Sequence, residues 1–376
     1  RWFYFMMEGV KGKHIYLDFK NTDPMRAVYS YAGKHFQRFE HYQASLRKVS
    51  SFFSRDTVYV SYFIPYGWDK LQERLRQWTA SPFVVMDTLG TSMMGLPVQM
   101  LAITDPQVPE ERKNRIWIHA RVHPSESPAN WQLEGLLDRL TDNSPVARQY
   151  LRQSVFYVVP FANPDGVYGG YSRSNARGIN QEINWDHNDS VTSVEVQALR
   201  ARMDSLTRER PFDLVLNMHA QSDDKISYYV PTSASTYPEY HEKAMRLAYL
   251  TTDNNPYFFM EDMFYSSPAP RYVEGWIWNR TKGKTLAMTI EMPYSFYNEN
   301  PDRPWVTVTS LRENGELMLR GISDFCGWNI PGRYILKGTL RGKKTIFRHE
   351  NLPAGEYQVF IWKDAWVPCD TVIKKR

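Results

Sequence analysis

The stretch Ile118-His119-Ala120-Arg121-Val122-His123-Pro124-Ser125-Glu126-Ser127-Pro128 sets the reading of the whole chain. An apolar strand ends, a loop offers His123 and Glu126, and a helix opens at Pro128. An imidazole and a carboxylate three residues apart turn toward one cation when the loop curls. Two histidines and one carboxylate, with a fourth position left open, form a known catalytic zinc set. The tetrapeptide alone is a weak signal, because a surface loop with a capping Glu has the same letters. Its position is more informative, since α/β sheets hold ligands beyond the carboxyl ends of their strands. A third ligand stands at such a place: Leu214-Val215-Leu216-Asn217-Met218-His219 ends in an imidazole. Two further strand ends carry polar groups. Val158-Val159-Pro160-Phe161-Ala162 runs into Asn163-Pro164-Asp165-Gly166, a strong turn maker, and Thr289-Ile290 runs into Glu291. A carboxylate at the end of a buried strand is costly without a partner or a task. On these residues alone, His219 as a structural histidine and Glu291 as a salt-bridged one both stay open.

Working outward, residues 83–328 alternate strands with amphipathic helices, the signature of an α/β sheet. Strands are expected at Phe83–Leu89, Val98–Ile103, Arg115–Ala120, Val155–Pro160, Leu214–Met218, Ile226–Val230 and Leu286–Ile290. Helices are expected at Pro128–Leu140, Ser193–Arg208, Pro238–Thr252 and Val306–Phe325. Before them, Trp2–Met7, His14–Phe19, Ala27–Tyr31 and Thr57–Phe63 are short aromatic or β-branched runs separated by turn residues. They predict a small β-sandwich over 1–78, closed by a linking helix at Trp68–Thr79. After residue 328 the pattern is β-like again, at Tyr334–Leu340, Thr345–Arg348 and Tyr357–Trp362. The expected organisation is therefore an N-terminal β-sandwich (1–78), a mixed-sheet α/β domain (79–328) and a small β appendage (329–376).

The 376 residues suffice for such a plan, with 42% hydrophobic and 23% charged residues. These are ordinary globular values that exclude wholesale disorder and a disulfide scaffold. A net charge of +5 comes from scattered basic residues, so no stripe for nucleic acid is expected. No apolar run is long enough to span a bilayer. Cys326 and Cys369 lack the spacing of a cysteine zinc site, and one disulfide or two thiols are both open. The first residues read directly as a strand, with neither a start Met nor a signal segment. A trimmed start and a β appendage lean toward an exported bacterial protein, and the compartment and oligomeric state are otherwise unreadable.

In their order and spacing, these pieces resemble the zinc carboxypeptidase family, specifically its cytosolic-carboxypeptidase-like branch with an N-terminal β-sandwich. The likeness covers about residues 1–326. It rests on Trp2-Phe3-Tyr4-Phe5, Tyr62-Phe63-Ile64-Pro65-Tyr66, Thr88-Leu89-Gly90-Thr91-Ser92, His123-Pro124-Ser125-Glu126, Asn163-Pro164-Asp165-Gly166, His219 and Ile290-Glu291. The resemblance implies that His123, Glu126 and His219 bind Zn2+, and that Glu291 is the general base on the attacking water. It also implies an Arg that opposes charge on the carbonyl oxygen, twelve residues before the Trp of a segment Gly-x-Asp-Leu-Asn-Arg-x-Trp. Arg173 stands twelve before Trp185.

That same segment departs from the family. It reads Gly178-Ile179-Asn180-Gln181-Glu182-Ile183-Asn184-Trp185. The Asn-Arg pair that grips a substrate's terminal carboxylate is replaced by Glu182-Ile183. Ile cannot pair with a carboxylate, and Glu182 would repel one. The expectation is a zinc-dependent hydrolase of peptide or amide bonds with altered recognition of the substrate's end. Glu182 would then meet a cationic or neutral group, or the clamp would be rebuilt from Arg177 or Arg271. Tyr265 and Tyr272 are the candidates for a tyrosine that closes over substrate. The alternatives are an amidase or endopeptidase on peptidoglycan-derived peptides, and a zinc- or peptide-binding relative without turnover. The intact set of His123, Glu126, His219 and Glu291 weighs against the last.

Overall fold

The computed structural model describes residues 2–20, 26–40, 43, 47–253, 255–259, 263–298, 300, 302–328, 330, 355–362 and 366–374; of the last two segments only the backbone is described. The chain opens with β1 (Tyr4–Met7), β2 (His14–Asp18), β3 (Val28–Ser30), β4 (Gln37–Arg38), β5 (Lys48–Phe52) and β6 (Val58–Ser61). Strands β1, β6, β3 and β4 form an antiparallel sheet, and β2 pairs with β5. Aromatic rings fill the space between the two. Phe3 stacks on Phe19 with centroids 4.2 Å apart, and Tyr29 meets Phe53 at 6.1 Å. Helix α1 (Trp68–Trp78) follows, burying Leu71, Leu75 and Trp78 at the expected helical spacing.

The next elements are β7 (Val84–Thr91), β8 (Pro97–Ile103), β9 (Asn114–Ala120), α2 (Ser127–Thr141), α3 (Pro145–Gln153), β10 (Ser154–Val159) and α4 (Pro164–Tyr168). After them come α5 (Val194–Thr207), β11 (Leu214–Gln221), β12 (Ser227–Pro231), α6 (Pro238–Thr252), β13 (Phe264–Ser266), α7 (Val273–Thr281), β14 (Leu286–Pro293) and α8 (Val308–Cys326). The eight strands β7–β14 make one mixed sheet in the order β13-β12-β14-β11-β9-β10-β8-β7. Its centre, β10-β9-β11-β14, is parallel. These central strands are apolar on both faces because both are covered. Leu214, Leu216 and Met218 join the core under α2, α6 and α8, while Val215, Trp117 and Ala287 join the core under α5 and α7.

Helices α2 and α8 approach closely through two glycines. A Cβ on Gly135 would lie 2.0 Å from the Arg312 carbonyl oxygen, and one on Gly315 would lie 2.0 Å from that of Gln132. The N-terminal strands share this core. Val10, Phe39, Val49 and Phe53 belong to the same buried cluster as Leu136 and Met288.

The expected helices and most of the expected strands are present, with ends displaced by at most three residues. Three α-helices lie where only loop or turn was expected. Ser144 caps α3, accepting from Ala147 N at 3.0 Å. Asn163-Pro164-Asp165-Gly166 starts the short α4, beyond a mere turn. Helix α7 packs so tightly on the preceding loop that a Cβ on Gly275 would sit 2.2 Å from the Ala269 oxygen. Of the C-terminal expectations, Tyr357–Trp362 falls within β15 (Gly355–Trp362), which pairs antiparallel with β16 (Trp366–Lys374). Tyr334–Leu340 and Thr345–Arg348 lie outside the described residues.

Candidate metal centre

The parallel register brings the polar strand ends together. Met218 is opposite Ala120, and His219 is opposite Glu291. The loop after β9 then folds back over them. Arg121 adopts φ of 60°, a left-handed conformation unusual for a side chain with a Cβ. Its buried guanidinium holds that shape. Nε donates to Pro124 O at 2.8 Å, and one terminal nitrogen donates to Tyr66 O at 2.9 Å and to Asn130 Oδ1 at 3.0 Å. Asn163 donates to Val122 O at 3.2 Å from below. Gly166 lies so close that a Cβ would stand 2.6 Å from Pro124 Cγ. Asp165 in turn accepts from Ser92 Oγ and from Met94 N, the latter at 2.9 Å. Thus the Thr88–Ser92 and Asn163–Gly166 segments together buttress the loop of His123.

His123, Glu126 and His219 converge, their ligand atoms all within 4.8 Å of one another and all three buried. Glu126, at the N-cap of α2, faces His123 Nδ1 at 2.9 Å and His219 Nδ1 at 2.7 Å, and accepts from Ala220 N at 3.1 Å. The two Nδ1 atoms are 3.1 Å apart. Two imidazole nitrogens and a carboxylate aimed at one point form a donor set that suits zinc. His119, in the same stretch, does not join them. Its Nδ1 takes the Trp117 indole N–H at 3.0 Å, and burial pushes its pKa down to about 3.

The electrostatics follow from these contacts. Burial alone would raise the Glu126 carboxyl, but His123 and His219 outweigh it and hold it far below its ordinary range. Burial would likewise strip the proton from His219, but Glu182 and Glu126 outweigh it and raise its pKa well above the ordinary value. Glu291 goes the other way. Burial, then the negative charges of Glu126 and Glu182, push its carboxyl up to about 8, against the pull of His219 and Arg173. Its Oε2 is buried without a hydrogen-bond partner among the described residues.

The other expected site residues spread out. Arg173 is exposed, yet near enough to Glu291 to lower its pKa. Arg177 is exposed on the same loop. Ile183 is 41% exposed. Glu182 is buried, with Oε2 3.0 Å from His219 Nε2 and both oxygens facing Asn217 Nδ2 at 3.2 and 3.3 Å. Tyr272 is the N-cap of α7, with the Arg271 guanidinium 5.0 Å over its ring. Tyr265 is exposed on the edge strand β13.

Four residues near the centre were not singled out from the sequence. Asn180 Oδ1 faces His123 Nε2 at 3.2 Å. Asn217 bridges Glu182 and Glu274. Tyr229 is half-buried within reach of the charges of Glu291, His219 and Glu126, and Tyr294 is buried near Glu126 and Glu291. Strand periodicity was the available signal for Asn217, two residues before His219 and therefore on its face.

The zinc carboxypeptidase family model (peptidase M14) matches residues 74–300. A Zymomonas mobilis protein is 26% identical over 324 residues, covering 80% of this chain and 81% of that one. Human cytosolic carboxypeptidase 2 is 38% identical over 133 residues, 34% of this chain but 15% of its own length. The crystal structure of a metallo-carboxypeptidase from Burkholderia cenocepacia superposes with a TM-score of 0.76 at 25% identity, covering 86% of this chain and 89% of that one. The chain thus matches most of the length of these bacterial proteins and a small part of the human one.

Proposed function

The chain belongs to the zinc carboxypeptidase family and has its hydrolase fold, and from that premise we propose that it is a zinc-dependent peptidase that recognises the end of its substrate in an altered way. The convergence of His123, Glu126 and His219 beside Glu291 carries this reading. Those three residues would hold the ion. When bound, zinc supplies Lewis acidity toward the scissile carbonyl and lowers the pKa of water. Glu291, one strand across from His219, takes the proton of the attacking water and delivers it to the leaving amine. Arg173, whose positive charge is felt at Glu291, opposes the charge that grows on the carbonyl oxygen in the transition state.

Recognition of the substrate's end cannot rest on the 182–183 pair, since Glu182 is committed to His219 and Ile183 is apolar. Arg271 is the replacement that the backbone supports. Its carbonyl accepts from Trp185 N at 3.1 Å, so its loop is joined to the end of the altered segment, and its guanidinium is exposed. The test is a mass-spectrometric digest of free-acid peptides, their C-terminal amides and muropeptides, with zinc and with a chelator. Chelator-sensitive loss of single C-terminal residues from free acids is the expected result. Cleavage of amides or muropeptides alone would remove the carboxylate-binding role, and no cleavage at all would remove the peptidase.

A further inference from the structure

We propose that Glu182 is a positioning residue of the metal centre, which fixes His219 as a ligand by holding its rear nitrogen. The inference rests on the zinc reading above and assigns a role to the very position where the substrate clamp is missing. The turn that carries Glu182 is a single 3-10 turn, Gln181–Ile183, capped by Asn180, whose Oδ1 accepts from Glu182 N at 3.1 Å. This cap points the Glu182 side chain inward while the next residue faces out. The same Oδ1 faces His123 Nε2 at 3.2 Å. One short turn therefore backs both metal-facing imidazoles, His123 with a neutral amide oxygen and His219 with a carboxylate.

The geometry distinguishes the two edges of His219. Nδ1 faces Glu126 and His123 on the metal side, and Nε2 lies 3.0 Å from Glu182 Oε2 on the other, an ion-pair contact in which Nε2 makes no hydrogen bond among the described residues. A carboxylate behind a ligating imidazole keeps the proton on the rear nitrogen, leaves the front lone pair for the metal and increases its basicity. Burying an anion for no purpose would be costly. Here Asn217 donates to both oxygens, and this strand neighbour of His219 keeps the carboxylate in place. Asn217 also reaches Glu274 at 3.3 Å, which accepts from Thr289 Oγ1. The arrangement is thus tied to both β11 and β14.

The test compares zinc affinity by chelator competition in the native protein, Glu182→Gln and Glu182→Asp. The Gln variant keeps the shape and removes the charge; it should bind zinc about 10–100-fold more weakly and lose it faster. The Asp variant keeps the charge on a shorter arm and should fall between, which keeps the comparison informative if the Gln variant fails to fold. With zinc saturating, the KM for a cleaved peptide should stay within about twofold while kcat falls, and the cobalt-substituted absorption spectrum should shift. If Glu182→Gln holds zinc as tightly as the native protein and raises KM instead, Glu182 is a substrate group and the proposal is wrong. Zinc uptake without any cleavage overturns the peptidase reading, and the affinity comparison still decides this one. A native protein that takes up no zinc overturns both.

Discussion

Replacing Glu291 by Gln should separate chemistry from metal holding and from stability, each by a different amount. Glu291 stands opposite His219 in register but outside the converging ligand set. Gln has the same shape, so zinc content should be unchanged. A general base accelerates a reaction by about 10²–10⁴-fold, which corresponds to ~2.7–5.5 kcal/mol of barrier, and kcat should fall by that factor. The metal-free protein should respond in the opposite sense. In it the Glu291 carboxyl is raised from an ordinary 4.5 to about 8 by burial and by Glu126 and Glu182. Between those values the folded protein binds more protons than the unfolded chain, so stability falls as pH rises through that window. At pH 7 the loss is on the order of 3 kcal/mol. Gln carries no such loss. The variant should therefore match the native metal-free protein near pH 4.5 and exceed it near pH 8. Steady-state kinetics on the zinc-loaded protein, metal analysis, and urea unfolding of the metal-free protein at both pH values measure the three effects. A kcat within about threefold of native refutes the base assignment. Loss of zinc along with activity refutes the separation of base from ligands, and equal stability at pH 8 refutes the electrostatic account.

Zinc uptake at pH 7 should release about one to two protons, one from His219 and the remainder from Glu291, because ligation needs an unprotonated Nδ1 and the cation disfavours a neutral neighbouring acid; calorimetry in buffers of different ionisation enthalpy measures this, and a count of zero contradicts it. Arg271→Ala should raise KM for free-acid peptides about tenfold or more while leaving C-terminal amides unaffected, and an equal effect on both removes Arg271 from carboxylate recognition. Gly315→Ala should destabilise by about 3 kcal/mol, against the usual ~1 kcal/mol gain of Ala in a helix, because its methyl would meet the Gln132 carbonyl; a thermal midpoint that rises instead means α2 and α8 can move apart freely.

The parts legible in the sequence were those written in local spacing. His123 and Glu126 stand three apart after a strand, and His219 and Glu291 end two more, so parallel pairing was enough to collect them. What escaped was which way side chains turn. Glu182 reads as a substrate-facing charge because the family's segment carries its carboxylate clamp at that position. A one-turn helix capped by Asn180 aims it inward, and neither hydropathy nor spacing reports that. Arg121 was passed over since an arginine in a loop reads as solvated, whereas here it is buried against Tyr66 O and Asn130. Helix α7 was missed because Val273, Trp276 and Ile277 beside a glycine have little intrinsic helical preference. Its packing on the Ala269 loop compensates.

The match to the family begins at residue 74, yet the contacts of the metal loop begin earlier. Tyr66 O accepts from Arg121, Ile64 O accepts from Ser127 and Trp131, and Arg38 donates to Tyr294 O and Val306 O at 2.8 and 2.9 Å. Tyr62 meets the ring of Tyr294 edge-on at 5.0 Å. Removing the residues before 74 would leave the Ser127 hydroxyl and the Trp131 indole without their acceptor, Ile64 O, and would take one acceptor from the Arg121 guanidinium, which keeps Pro124 O and Asn130 Oδ1. The residues matched to the family and the residues that complete the packing of this loop are thus different lengths of chain. A fragment starting at residue 74 is therefore expected to hold the N-terminal turn of α2, and Glu126 with it, less firmly than the whole chain.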